Sequence, residues 1–67
     1  MNISLNNRPE NFDYDVLTIS EILKHKKYTF RMMVVKINGQ LIKKDRYQTA
    51  EVTDGDDVQI IHMISGG

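Results

Sequence analysis

Two short stretches near the start of the chain alternate apolar and polar residues, which is the period of a half-buried β-strand. The first is MNISLN, and the NNRP that follows it has the composition of a turn. The second is ENFDYD, in which Phe12 and Tyr14 alternate with acidic residues. Together the two stretches predict an N-terminal β-hairpin.

A helix is predicted to begin at Thr18. Thr18 and Glu21 have the spacing of a capping box, in which each side chain satisfies a free backbone N–H of the other residue. Leu17 and Ile22 have the spacing of a hydrophobic staple across the same helix start. The basic cluster at residues 24–27 then falls in the last helical turn, where cations offset the helix dipole.

The sequence RMMVVKINGQLI predicts a second hairpin. Asn38 and Gly39 suit the two positive-φ positions of a type I′ turn. That turn places Val35 opposite Ile42, so both side chains can face the core. The mixed stretch KKDRYQTAEV predicts an irregular connection with at most one helical turn, followed by a short strand.

The segment TDGDDVQIIHMI predicts a turn at Gly55 and a closing strand. Val58 and Ile60 recur with the strand period and are expected in the core. Ile61 and Met63 then lie on the opposite face. Their apolar side chains are either partner contacts or part of a second buried face, since strands in small domains can be apolar on both sides.

The order of elements is hairpin, helix, hairpin and last strand, in a chain of 67 residues without an obvious linker or repeat. This order favours a single α+β domain spanning residues 1–67, with one helix packed on one face of a mixed sheet of four to five strands. By analogy, we expect the ubiquitin-like β-grasp arrangement, in which the first and last strands lie side by side.

Composition narrows the possible chemistry. The absence of cysteine excludes disulfides, thiolate metal ligands and a catalytic thiol. Nine basic residues balance nine acidic ones, which argues against a nucleic-acid binder driven by phosphate neutralisation. The longest apolar run is MMVV, so no membrane span or secretory signal is predicted, and a cytoplasmic location is expected.

The basic residues are unevenly distributed, and residues 24–46 contain eight of the nine. Because the segment also contains Tyr28 and Phe30, one interpretation is an RNA-binding surface. The other is a solvated helix end whose two aromatic side chains pack on the core. His25 and His62 lie in no recognisable metal or nucleophile motif. We therefore expect no catalytic residue, no metal site, no permanently bound cofactor and no enzymatic activity of the chain itself.

The chain closes with Ser65, Gly66 and Gly67 directly after the predicted last strand. Glycine has no Cβ, so such a tail can pass through a channel too narrow for other residues and present its carboxylate to an enzyme. The alternative is a frayed terminus without a function.

From VVKINGQLI to the end, and more loosely before it, the chain resembles the ThiS-type sulfur carriers of thiamine biosynthesis, which belong to the ubiquitin-like ThiS/MoaD family. The most specific shared features are the Asn38-Gly39 turn, Tyr47, the Asp54-Gly55-Asp56 turn and the final Gly66-Gly67. The resemblance implies that a ThiF-like adenylyltransferase activates Gly67 with ATP. A sulfur donor, such as a cysteine desulfurase, then converts it to a thiocarboxylate, and thiazole synthase takes the sulfur.

The same resemblance implies that Gly66, with Ser65 before it, gives the tail access to partner active sites. Because a carrier must bind at least two enzymes in turn, we expect exposed apolar residues on the face beside the tail, and we assign partner contacts to Ile61, Met63 and Ile64. No nucleic acid or membrane is expected among the partners. Within the same fold, the alternatives are the small subunit of molybdopterin synthase or another sulfur donor, and a protein modifier attached through Gly67. Among functions without carrier chemistry, the alternative is a plain β-grasp binding module.

Overall fold

The computed structural model describes residues 1–29 and 32–63. Seven strands, one α-helix and one 3₁₀ turn follow one another along them. These elements are β1 (Asn2–Leu5), β2 (Arg8–Asn11), β3 (Val16–Thr18), α1 (Ile19–Lys26), β4 (Met33–Ile37), β5 (Gln40–Ile42), the 3₁₀ turn (Lys44–Arg46), β6 (Glu51–Thr53) and β7 (Asp57–His62).

The main sheet has five strands in the order β2-β1-β7-β4-β5. β1 and β7 pair in parallel, with Leu5 opposite Val58, while the other neighbours are antiparallel. The sheet is therefore mixed, with the first and last strands side by side. Together with the helix it forms the predicted β-grasp fold.

The N-terminal hairpin turns earlier than the sequence analysis predicted. Asn6 and Asn7 both have positive φ, at 52° and 65°, and form a two-residue turn. β2 consequently begins at Arg8, and the predicted strand over ENFDYD is wrong beyond Asn11. Phe12, which follows β2, is buried in the core, whereas Tyr14 is exposed. Asparagine tolerates the left-handed conformation better than most residues, which explains why a turn forms here without glycine.

A second, two-stranded sheet consists of β3 and β6 and was not predicted as a sheet. The two strands are antiparallel, with Leu17 opposite Val52, and both side chains are buried. β3 was missed because its three residues run directly into the helix cap, where the capping signal dominates the pattern.

Helix α1 has the predicted capping box. The Thr18 backbone N–H donates to Glu21 Oε1 at 2.9 Å, and the Glu21 backbone N–H donates to Thr18 Oγ1 at 3.2 Å. At the other end, Lys27 adopts a left-handed conformation with a φ of 57°, and the Tyr28 N–H donates to the Leu23 carbonyl at 2.9 Å. These contacts fix both ends of an eight-residue helix.

The second hairpin has the predicted turn and register. Asn38 and Gly39 have φ values of 50° and 82°, and Val35 lies opposite Ile42. Val35 is fully buried and Ile42 packs against the core. The connection that follows contains the 3₁₀ turn before β6, as expected.

The core lies between the main sheet and the helix. Its buried apolar residues come from the main sheet, the segment after β2, the two-stranded sheet and the helix: Ile3, Leu5, Phe12, Leu17, Ile19, Ile22, Val35, Val52, Val58 and Ile60. In the described part of the chain, no helix is both long and apolar enough to cross a membrane.

Candidate functional site

Successive side chains along the last strand and the residue after it point alternately to the two faces of the sheet. Val58 and Ile60 are buried, at 0% and 3% exposure. Ile61 and Met63 are 47% and 45% exposed. The prediction that these two residues face away from the core is thus confirmed, and the alternative that both are buried is wrong.

Neighbouring strands extend this exposed apolar face. Val34 in β4 lies opposite Ile61, and the Met63 N–H donates to the Met32 carbonyl at 3.0 Å. On β5, Leu41 follows the same alternation. Met32 and Leu41 are 53% and 56% exposed. We call these five residues, Met32, Val34, Leu41, Ile61 and Met63, the outer apolar patch.

Three members of the outer apolar patch were missed in the sequence analysis, although a signal for two of them was present. Once Val35 and Ile42 are assigned to the core side, strand alternation requires Val34 and Leu41 to face the other way. Their position beside Ile61 was not available from the sequence, because it depends on β4 lying next to β7.

A groove of about 640 Å³ continues from the patch towards the end of the helix. Leu23, Tyr28 and Tyr47 form part of its wall, and Lys43 and Lys44 lie at its rim. Burial raises the pKa of the Tyr47 hydroxyl above its ordinary value of 10.0. The groove thus offers an apolar surface with cations at one side.

Tyr28 packs against the hydrophobic core, which confirms the packing interpretation of this aromatic residue. Lys26 in the basic cluster forms a salt bridge with Glu10. Phe30, the other aromatic residue of the RNA-binding interpretation, lies outside the described residues.

The acidic turn before β7 supports the backbone. Asp54 Oδ1 accepts a hydrogen bond from the Asn2 N–H at 2.6 Å. Asp56 accepts from the Thr53 N–H at 2.9 Å and from Asn38 Nδ2 at 3.0 Å. These bonds, with the Thr53 backbone contribution the largest, lower the pKa of Asp56 below its usual range. Asp54 and Asp56 thus stabilise the turn before β7.

His25 packs against aromatic side chains. The His25 ring contacts the rings of Phe12 and Tyr14, with centroids 5.9 and 5.3 Å away. Within residues 1–29 and 32–63, no group of three or more His, Asp or Glu side chains is placed to hold a metal ion. The outer apolar patch is therefore the main candidate site in this part of the chain.

The sequence profile of the ThiS family matches residues 3–67, almost the whole chain. The chain belongs to the ThiS family. It is 29% identical over 65 residues to the sulfur carrier protein ThiS of Bacillus subtilis strain 168, with 97% of this chain and 98% of the relative covered.

Solved structures of the ThiS family share the fold. The crystal structure of the thiamine biosynthesis protein ThiS from Geobacter metallireducens has a TM-score of 0.88 and 28% identity, with 100% of both chains covered. The solution structure of a thiamine biosynthesis protein from the same organism has a TM-score of 0.79 and 28% identity, covering 100% of this chain and 88% of the other.

In this member of the ThiS family, four of the predicted site residues lie outside the described residues. They are Ile64, Ser65, Gly66 and Gly67. The family match nevertheless extends through all four positions. Their roles stay predictions, whereas the exposure of Ile61 and Met63 is a property of the structure.

Proposed function

We propose that this chain is a sulfur carrier of thiamine biosynthesis, with sulfur attached at Gly67. The observation that carries the proposal is the ThiS family match through residue 67. Further support comes from the B. subtilis relative, which is named a sulfur carrier protein and matches along nearly its whole length. The likeness to ThiS structures favours thiazole over molybdopterin as the destination of the sulfur.

The chemistry of loading needs a carboxylate and two partner enzymes. The Gly67 carboxylate attacks the α-phosphorus of ATP in a ThiF-like adenylyltransferase, which forms an acyl-adenylate and releases pyrophosphate. The terminal sulfur of a persulfide on a cysteine desulfurase or similar donor attacks the acyl carbon and displaces AMP, which forms an acyl disulfide. A thiol then attacks the donor's sulfur, becomes part of a new disulfide with the donor and releases the acyl sulfur. The product is a thiocarboxylate, and thiazole synthase uses its sulfur. In this scheme the chain supplies the acyl group and the partners supply catalysis.

The partners must recognise the folded domain as well as its tail. We assign this role to the outer apolar patch, centred on Ile61 and Met63, and to Ile64, the next residue in the sequence. Support comes from the exposure of four of its five side chains, those of Met32, Leu41, Ile61 and Met63, because exposed apolar clusters on small proteins commonly mark interaction sites. Gly66 and Ser65 then allow the tail to enter the active site of each partner, since neither has a bulky side chain.

Mass spectrometry of the intact protein tests the proposal. The chain is incubated with ATP, the adenylyltransferase and a sulfur donor from the same organism. We expect a mass gain equal to the replacement of one oxygen by sulfur, located in the C-terminal peptide. Omitting ATP is expected to abolish the gain, because the free carboxylate is a poor acylating group.

Gly66→Val provides the matched variant. The side chain of valine makes the tail too wide for a narrow activating site, so sulfur loading at Gly67 is expected to fall. The thermal unfolding midpoint is expected to equal that of the wild type. The proposal is overturned if the wild-type chain acquires neither an adenylate nor sulfur at Gly67. It is equally overturned if a chain lacking Gly67 still supports thiamine synthesis in cells.

A further inference from the structure

The two edges of the main sheet differ in their capacity to accept another strand. At the β2 edge, the two-residue turn makes Leu5 and Arg8 the closing pair of the hairpin, so Ser4 and Pro9 form a pair without mutual hydrogen bonds. The backbone of Pro9 therefore faces outward, and proline has no N–H to donate. This edge is blocked against strand addition.

The β5 edge has no such block. Ile37 and Gln40 close the hairpin, so the next pair, Lys36 and Leu41, is the one without mutual hydrogen bonds. The N–H and C=O of Leu41 consequently point away from β4. Among the described residues, no backbone group outside the hairpin bonds to Leu41. β5 thus presents a free donor and a free acceptor at the end of the sheet.

Space for an added strand lies beside this edge. A depression of about 640 Å³ runs between β5 and the chain after the 3₁₀ turn, with Arg46, Thr49 and Ala50 on its far side. On the other side of β5 is the apolar groove described above, and Leu41, Ile42 and Lys43 line both. A chain paired with β5 can therefore place an apolar side chain in the groove.

The positive charges around the β5 edge favour the binding of an acidic segment. Lys43, Lys44 and Arg46 surround it and are all exposed, against the single carboxylate of Asp45 in this segment. Within the described residues, none of these three cations forms a salt bridge. An incoming segment with carboxylates would complement them, whereas a second copy of this chain would bring the same basic residues to the edge.

We propose that the β5 edge binds an extended acidic segment of a partner protein by strand addition. The backbone of the segment pairs with the N–H and C=O of Leu41, one of its apolar side chains enters the groove, and its carboxylates meet Lys43, Lys44 and Arg46. This edge is distinct from the tail, so the interaction depends on neither Gly67 nor sulfur loading. It gives the domain a second means of attachment to a partner.

The test uses a synthetic probe. The acetylated and amidated peptide Asp-Asp-Val-Ile-Val-Asp-Asp is titrated into the ¹⁵N-labelled full chain at low salt and followed by NMR. We expect chemical-shift changes in β5 and slower hydrogen exchange of the Leu41 amide. The same peptide with lysine in place of every aspartate is expected to bind at least about tenfold more weakly.

Two further comparisons separate strand addition from general charge attraction. An acidic peptide N-methylated on its central isoleucine has the same charge but cannot donate the pairing hydrogen bond, so we expect about tenfold weaker binding. The double variant K43E/K44E is expected to bind the acidic peptide more weakly by a similar factor. Its matched control, K24E/K27E, makes the same charge change at the helix end and is expected to retain the wild-type affinity.

The proposal is overturned if the acidic and lysine peptides bind with equal affinity. It is also overturned if the chemical-shift changes are confined to the region of Val34 and Ile61. A third contrary outcome is a dimer of the chain in sedimentation experiments, with chemical-shift changes in β5 that depend on protein concentration. Binding is expected to persist in a chain lacking Gly66 and Gly67. A failure at the β5 edge is thereby distinguished from a failure of sulfur loading.

Discussion

The Asn6 side chain joins the first hairpin to the last strand. The Ile60 N–H donates to Asn6 Oδ1 at 2.8 Å, and Asn6 Nδ2 donates to the Ile60 carbonyl at 3.1 Å. The Asn6 backbone N–H also donates to the Val58 carbonyl at 2.9 Å. The turn residue therefore extends the parallel pairing of β1 and β7 beyond the end of β1.

Asn6→Ala is expected to destabilise the protein by about 1–3 kcal/mol, because both backbone groups of the buried Ile60 lose their partner. Asn7→Ala is the matched control. Asn7 shares the positive φ, but no side-chain hydrogen bond to Ile60 involves it. Urea unfolding measures the difference between the two variants. Equal losses would show that the turn conformation, and not the contact with Ile60, determines the effect.

Asp56 is expected to make stability depend on pH. Hydrogen bonds from the Thr53 N–H and then from Asn38 lower the pKa of Asp56 below its ordinary value of 3.8. The folded state thus favours the carboxylate more than the unfolded state does. The resulting stabilisation is complete above the ordinary value and is lost as the pH falls through the lowered pKa of the folded state.

Asp56→Ala removes this contribution, so its unfolding free energy is expected to fall at neutral pH and to approach that of the wild type in acid. Thermal unfolding of both proteins across the acidic range measures the convergence. Asp57→Ala serves as the control, because Asp57 bonds to Asn38 through its backbone N–H and carbonyl and not through its carboxylate. A gap between wild type and Asp56→Ala that stays constant with pH would contradict this assignment.

At the scale of elements, the start of α1 depends on a local signal. Thr18→Ala removes the side-chain oxygen that accepts the Glu21 N–H and is expected to cost about 1 kcal/mol. Thr49→Ala removes the same atoms from an exposed turn and is expected to cost less. Circular dichroism during urea unfolding compares the variants. If both lose the same stability, the capping bonds contribute nothing specific.

The elements that were predictable from the sequence are those fixed by neighbouring residues. The capping box defined the helix start, and the Asn38-Gly39 turn defined both the second hairpin and its register. The Asn6-Asn7 turn was placed less well, because NNRP was interpreted as a longer turn. β3 was not separable from the helix cap, since it is recognised only through its pairing with β6.

The same distinction applies to the candidate site. Alternation along β7 was enough to assign Ile61 and Met63 to the outer face. The contribution of Met32, Val34 and Leu41 depends on which strands are neighbours, and that order comes from the packing of the complete sheet. The hydrogen bonds of Asn6 to Ile60 join residues 54 positions apart, so no local pattern indicates them.

At the scale of the whole molecule, the outer apolar patch is expected to be separable from stability. Replacing Ile61 and Met63 together with serine is expected to change the unfolding free energy by no more than about 1 kcal/mol, because both side chains are about half exposed. Binding to the adenylyltransferase is expected to weaken. Thermal unfolding and calorimetric titration measure the two effects.

Ile60→Ser is the contrasting variant for the patch. Ile60 is 3% exposed, and its loss from the core is expected to cost about 2–5 kcal/mol. A loss of that size in the Ile61 and Met63 double variant would assign these residues to the core. Unchanged affinity for the adenylyltransferase would remove them from the interface.

The central position of β7 links folding to protein synthesis. β7 lies between β1 and β4, although both are made before it. A nascent chain in which synthesis has not reached His62 lacks part of β7, so β1 and β4 have no complete strand between them. The five-stranded sheet therefore cannot form before that residue has been added. Chains released early then expose Ile3, Leu5 and Val35 to proteases.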